Sequence, residues 1–121
     1  MKTYCIDYET KFTKEISIRT LGVRGYVSHP FVEAFMVSIY GPDLAFVGSP
    51  QDAPWDAIKD SRWASHNSSF DREVHEELIR RGFNVPLPPV WDCTANLSAY
   101  MQSPRSLLDA SRELLGIQLD K

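Results

Sequence analysis

Three carboxylates stand in two short runs: Asp7 and Glu9 in Ile6-Asp7-Tyr8-Glu9-Thr10, and Asp71 in Asn67-Ser68-Ser69-Phe70-Asp71. Residues two apart on a strand point to one side, so Asp7 and Glu9 share a face, roughly 7 Å apart along the backbone. Acids set this close raise each other's pKa unless a cation or an arginine compensates. Asp71 falls in the first turn of an expected helix that directly follows a strand, where the helix dipole favours an anion. A strand end and a helix N-terminus can converge on one crevice of an α/β sheet. Three acids meeting there suit two-metal phosphoryl transfer, with divalent ions about 3.5–4 Å apart activating a water and stabilising the leaving oxygen.

Each of these residues also has a plainer role. Asp7 and Glu9 could be surface acids where a strand reaches solvent, and Asp71 could simply complement a dipole. Asn67 suits a turn or cap, or else its amide orients substrate or an acid. His66, beside Asn67, could touch substrate, although a packed or turn histidine is the simpler reading. His29 and His75 carry no signal strong enough to assign them a role. Arg72, Arg80 and Arg81 read as the solvated face of their helix. No Gly-rich phosphate loop, Ser-His-Asp set or zinc spacing competes with the acids.

The elements that must position these residues can be read from pattern. Residues 3–9 are extended, and residues 11–18 read as a loop or short excursion. Val32 to Tyr40 is a strand, Gly41-Pro42-Asp43 a turn, and Leu44 to Val47 a return strand, giving an antiparallel hairpin. Pro54 to Lys59 is a short helix and Arg62 to His66 a strand. Phe70, Val74 and Leu78 recur at a spacing of four, with Gly82 as the stop and Ser68 or Ser69 as N-cap, which predicts an amphipathic helix. After Pro86, Pro88 and Pro89 come a strand at Val90 to Thr94, a helix at Ala95 to Met101, and a last helix from Ser103-Pro104 to Gly116. Three strands followed by alternating strand and helix predict an α/β layout, a mixed sheet with helices on its faces.

At 121 residues the chain fits a single domain, and 43% hydrophobic with 24% charged residues marks it as globular. A net charge of −3 leaves no polyanion-binding footprint, but a site that grips phosphate through metal ions is itself acidic. No apolar run reaches membrane-span length and no basic-then-apolar leader opens the chain, so a cytoplasmic protein with no membrane contact is expected. Cys5 and Cys93 lack metal-ligand spacing and read as core thiols.

These motifs resemble the 3′–5′ exonuclease (proofreading) domain of the DEDD superfamily, most like that of phage and bacterial family A DNA polymerases. Ile6-Asp7-Tyr8-Glu9-Thr10 resembles the first exonuclease motif, and His66-Asn67-Ser68-Ser69-Phe70-Asp71 the second. Gly22 to Pro30, Trp91-Asp92-Cys93-Thr94, and Ser106 to Gly116 resemble further segments in the same order, so the likeness spans nearly the whole chain. It implies a ribonuclease H-like mixed sheet with flanking helices, C-terminally incomplete. Asp7, Glu9 and Asp71 would be the catalytic acids and the ligands of a two-metal Mg²⁺ or Mn²⁺ site. Thr10, His66 and Asn67 would contact the substrate or support the site, and the single-stranded 3′ end of DNA would be the substrate. Asp92 and Asp109 have counterparts that would be structural.

The family's third motif, a Tyr or His followed four residues later by Asp, has no match after Gly116. Asp120 lacks the required residue at position 116. The expectation is therefore a fragment or a naturally truncated protein, partial over 1–121 and weak or inactive alone. Apolar surface left beside the sheet would favour a homodimer or a covering partner. The alternatives are a non-catalytic nucleic-acid- or protein-binding module that keeps the fold, and a regulatory remnant of a polymerase gene.

Overall fold

The structure is a computed structural model that describes residues 1–11, 13 and 15–117, so Asp120 lies outside the described residues. Its centre is a five-stranded sheet of β1 (Thr3–Thr10), β2 (Ala34–Gly41), β3 (Leu44–Gly48), β4 (Arg62–Ser65) and β5 (Val90–Cys93). The spatial order is β3-β2-β1-β4-β5. Only β2 runs against the rest: β1 and β3 pair with it antiparallel, whereas β1–β4 and β4–β5 are parallel. The mixed α/β sheet and the β2–β3 hairpin follow the sequence expectation.

The helices are α1 (Ile18–Ser28), α2 (Trp55–Ile58), α3 (Ser68–Arg80), α4 (Thr94–Tyr100) and α5 (Leu107–Ala110), the last running into a π-helical turn at Ser111–Leu115. Alternation along β1 sends Tyr4, Ile6 and Tyr8 into the core and leaves Cys5, Asp7 and Glu9 exposed. Val37 and Ile39 of β2, Trp63 of β4, and Val74 and Leu78 of α3 meet the buried side. Trp55 and Ile58 of α2 close it. Cys5 is thus exposed, not a core thiol as its strand suggested.

Helix α1 occupies the stretch after the expected loop, where no element was expected, and breaks the expected run of three strands. Ser17 caps it and Thr20 completes the reciprocal box, yet only Tyr26 and Val27 are buried. Gly22, at φ 73°, interrupts the helix, which is why no regular apolar repeat announces it. Arg81, expected on a solvated face, instead donates to the carbonyls of Val27, His29 and Val32 and pairs with Glu77. That guanidinium fastens the α1–β2 connection to the end of α3.

Gly41 faces Tyr4 across the β1–β2 ladder. A Cβ there would sit 2.2 Å from the Tyr4 ring, which is buried and held at its hydroxyl by Asp43. Gly41→Ala is therefore expected to lower stability by about 1–3 kcal/mol, the usual cost of overpacking. A urea midpoint equal to that of the parent would show that the ring moves aside freely.

Candidate active site

Asp71 meets β1 where that strand outruns β4. The parallel ladder between these strands ends at the Cys5–Ala64 pair. Beyond it, the β1 groups that face β4 have no strand partner, and buried backbone groups must find others. Side chains supply them. Ser65 donates its hydroxyl to the Ile6 carbonyl, and Asp71 Oδ1 accepts the Tyr8 amide at 2.9 Å. Asp71 is thereby drawn to the residue that lies between Asp7 and Glu9.

Position on α3 makes this contact possible. Asn67 adopts the left-handed conformation at φ 70°, turning the chain sharply from β4 into the helix. It is the N-cap in place of Ser68 or Ser69, and its side chain makes no capping bond. Its carboxamide oxygen accepts from the Ser69 hydroxyl. Asp71 then falls in the first helical turn at 3% exposure.

Burial is the main reason the Asp71 carboxyl is pushed up to about 7, and the charges of Asp7 and Glu9 push the same way. The Tyr8 amide opposes the rise without cancelling it. Among the described residues, none of the three acids has a Lys, Arg or His partner within ion-pair distance. Among the described residues, no group of three or more His, Cys, Asp or Glu side chains stands where it could hold a metal ion.

Thr10 and His66 have structural partners. Tyr26 gives its proton to the Lys11 carbonyl, so the Thr10 hydroxyl donates to the Tyr26 oxygen. His66 Nδ1 meets the Thr94 hydroxyl at 2.9 Å, and Nε2 meets the Arg105 carbonyl. His66 thus joins β4 to α4 and the α4–α5 connection. Cys93 also bridges: burial raises its thiol, but donation from the Ser68 and Asn96 amides outweighs this and holds it below the usual thiol range.

Neither protein-family models nor curated proteins provide a match to this chain.

A cavity of about 330 Å³ opens beside the acids, lined by Tyr8, Glu9, Thr10, Ile18, Tyr26 and Phe70, with Ser17 and Arg19 at its polar side. Its aromatic and apolar walls can take a flat ring, while Glu9 and Thr10 face the same space. Ile18, Arg19 and Tyr26 of this wall come from α1, the helix that sequence pattern did not announce.

His75 was also missed, although the sequence holds a signal for it. It follows Asp71 by one helical turn and adjoins Val74 on the buried stripe. It is fully buried, with Trp55, Trp63 and Trp91 5.1–5.5 Å away ring to ring. Burial holds it below the usual histidine range. Among the described residues, no helix is long and apolar enough to cross a membrane.

Proposed function

We propose that this chain is a ribonuclease H-like 3′–5′ exonuclease domain of the DEDD type, hydrolysing phosphodiester bonds at single-stranded DNA 3′ ends. One contact carries the assignment: the buried Asp71 carboxylate sits on the amide of Tyr8, between Asp7 and Glu9. That contact joins the two acidic motifs in one place. The mixed sheet with helices against it is of the class this fold requires.

Asp7, Glu9 and Asp71 would hold Mg²⁺ or Mn²⁺. The ions supply a nucleophilic water and charge stabilisation at the leaving oxygen. The donor set fits hard cations: all carboxylate oxygens, one acid buried, two open to solvent, none ion-paired among the described residues. The cavity walls of Tyr26 and Phe70 suit stacking of a terminal base, and Arg19 suits a phosphate. The reaction belongs in the cytoplasm, where the two free cysteines stay reduced.

A second reading has its own observation. Leu97, Tyr100, Met101, Leu114 and Leu115 are exposed around α4 and the π-helical turn. A patch of this kind favours a partner protein, and the fold would then serve as a binding module.

Manganese-dependent release of mononucleotides from a labelled DNA 3′ end is the deciding experiment. Release is expected from the parent chain and is expected to fall to background in Asp7→Ala. Release that persists in Asp7→Ala overturns the mechanism. A parent protein that binds no Mn²⁺ favours the binding module.

A further inference from the structure

Tyr8 is gripped at both ends by α3. Its amide donates to Asp71, and its phenol meets His75 Nδ1 at 2.6 Å. Asp71 and His75 lie four residues apart, so their side chains leave the same face of the helix one turn apart. The opposite ring nitrogen fixes the roles. His75 Nε2 faces the Pro86 carbonyl, which can only accept, so Nε2 carries the proton and Nδ1 accepts from the Tyr8 hydroxyl. The Tyr8 ring is also stacked on Trp55, which keeps it from swinging away.

We propose that His75 is a positioning residue for the three acids, acting through Tyr8. The helix contacts one strand residue at two points, and two contacts fix both the depth and the rotation of α3 against β1. The residue held in this way is the one that separates Asp7 from Glu9. His75 thus sets where Asp71 meets the other two acids, while its imidazole bonds only to Tyr8 and the Pro86 carbonyl. The inference rests on the reading of these acids as one site, but its test does not require that site to bind metal or to turn over.

Asn and Gln divide the two functions of the imidazole. In His75→Asn the side-chain oxygen takes the place of Nδ1 and can still accept from Tyr8. In His75→Gln the amide nitrogen reaches toward the place of Nε2 and can still donate to Pro86, but the Tyr8 acceptor is lost. Both variants lose one hydrogen bond, so a merely structural role moves both alike.

Hydrogen exchange of the Tyr8 amide in the metal-free full chain reads the Asp71 contact directly. Exchange is expected to quicken about tenfold in His75→Gln and in Tyr8→Phe, the loss of protection that a broken hydrogen bond produces, and to stay within about twofold of the parent in His75→Asn. Equal exchange in the Gln and Asn variants, or parent-like protection in Tyr8→Phe, overturns the positioning role. Should His75→Gln not fold, Tyr8→Phe still decides, because the phenyl ring keeps the Trp55 stack. Parallel titration with Mn²⁺ judges the metal site separately: absence of binding to the parent removes the proposed nuclease and leaves the amide result standing.

Discussion

Asp71→Asn is expected to raise the melting temperature of the metal-free protein at pH 8 by about 8 °C, corresponding to roughly 2 kcal/mol in a domain of this size. The Asp71 carboxyl is raised to about 7 by burial first and by Asp7 and Glu9 second. An acid whose folded pKa lies above its unfolded value keeps its proton longer in the folded state. Between about pH 4 and pH 7 the native form therefore binds more protons, and stability falls as pH rises through this window. Above it the full cost of an ionised, buried carboxylate is present. Asn keeps an oxygen to accept the Tyr8 amide and removes the charge, so the gain should be large at pH 8 and close to nil at pH 4. The same change should abolish Mn²⁺ binding, because a ligating carboxylate is lost. A melting temperature unchanged at pH 8 would show that Asp71 is not desolvated in solution.

Trp63→Ala is expected to have the largest effect on folding, a loss of about 3–5 kcal/mol and a fall in melting temperature of about 15 °C. Trp63 is fully buried in β4 and lies 5.1–5.3 Å from Trp55 and Trp91, ring to ring. Its indole also donates to the Ile58 carbonyl, so truncation leaves both a cavity and an unpaired acceptor. The loss is a large share of the 5–15 kcal/mol that ordinary domains possess. Trp63→Phe should recover about half of it by refilling most of the space. Urea unfolding measures both variants, and a midpoint shift without a change in slope isolates stability from compactness. A shift of under about 1 kcal/mol for Trp63→Ala would mean that the neighbouring rings collapse into the gap.

The sheet was legible because its strands carry strong local signals. Alternation in β1 and the Gly41-Pro42-Asp43 turn between β2 and β3 specify both direction and register. Helix α3 was legible through Phe70, Val74 and Leu78, and its end through Gly82 at φ 93°. Helix α1 was not, because Gly22 divides it and only two of its residues are buried. The part of the cavity wall formed by Ile18, Arg19 and Tyr26 was lost with it. The three acids could be nominated from their motifs, since carboxylates out of place on a core strand stand out by type. Their electrostatic asymmetry could not. Asp7, Glu9 and Asp71 look alike in a sequence, and only burial makes Asp71 the one that bears the cost. His75 was hidden for the opposite reason, because its partners, Tyr8 and the Pro86 carbonyl, are distant in the chain or belong to the backbone.

The short reach of β4 has one more consequence. Past Cys5, β1 is joined on that side to β4 by the Ser65 side chain and to α3 by the Asp71 side chain, beyond the end of the main-chain ladder. Main-chain bonds survive almost any substitution, whereas these joints depend on two particular residues. Mutational drift at Ser65 or Asp71 can thus dismantle the acidic site one joint at a time while the ladder, and with it the architecture, is inherited intact. Chains of this design can shed their chemistry in evolution long before they shed their shape.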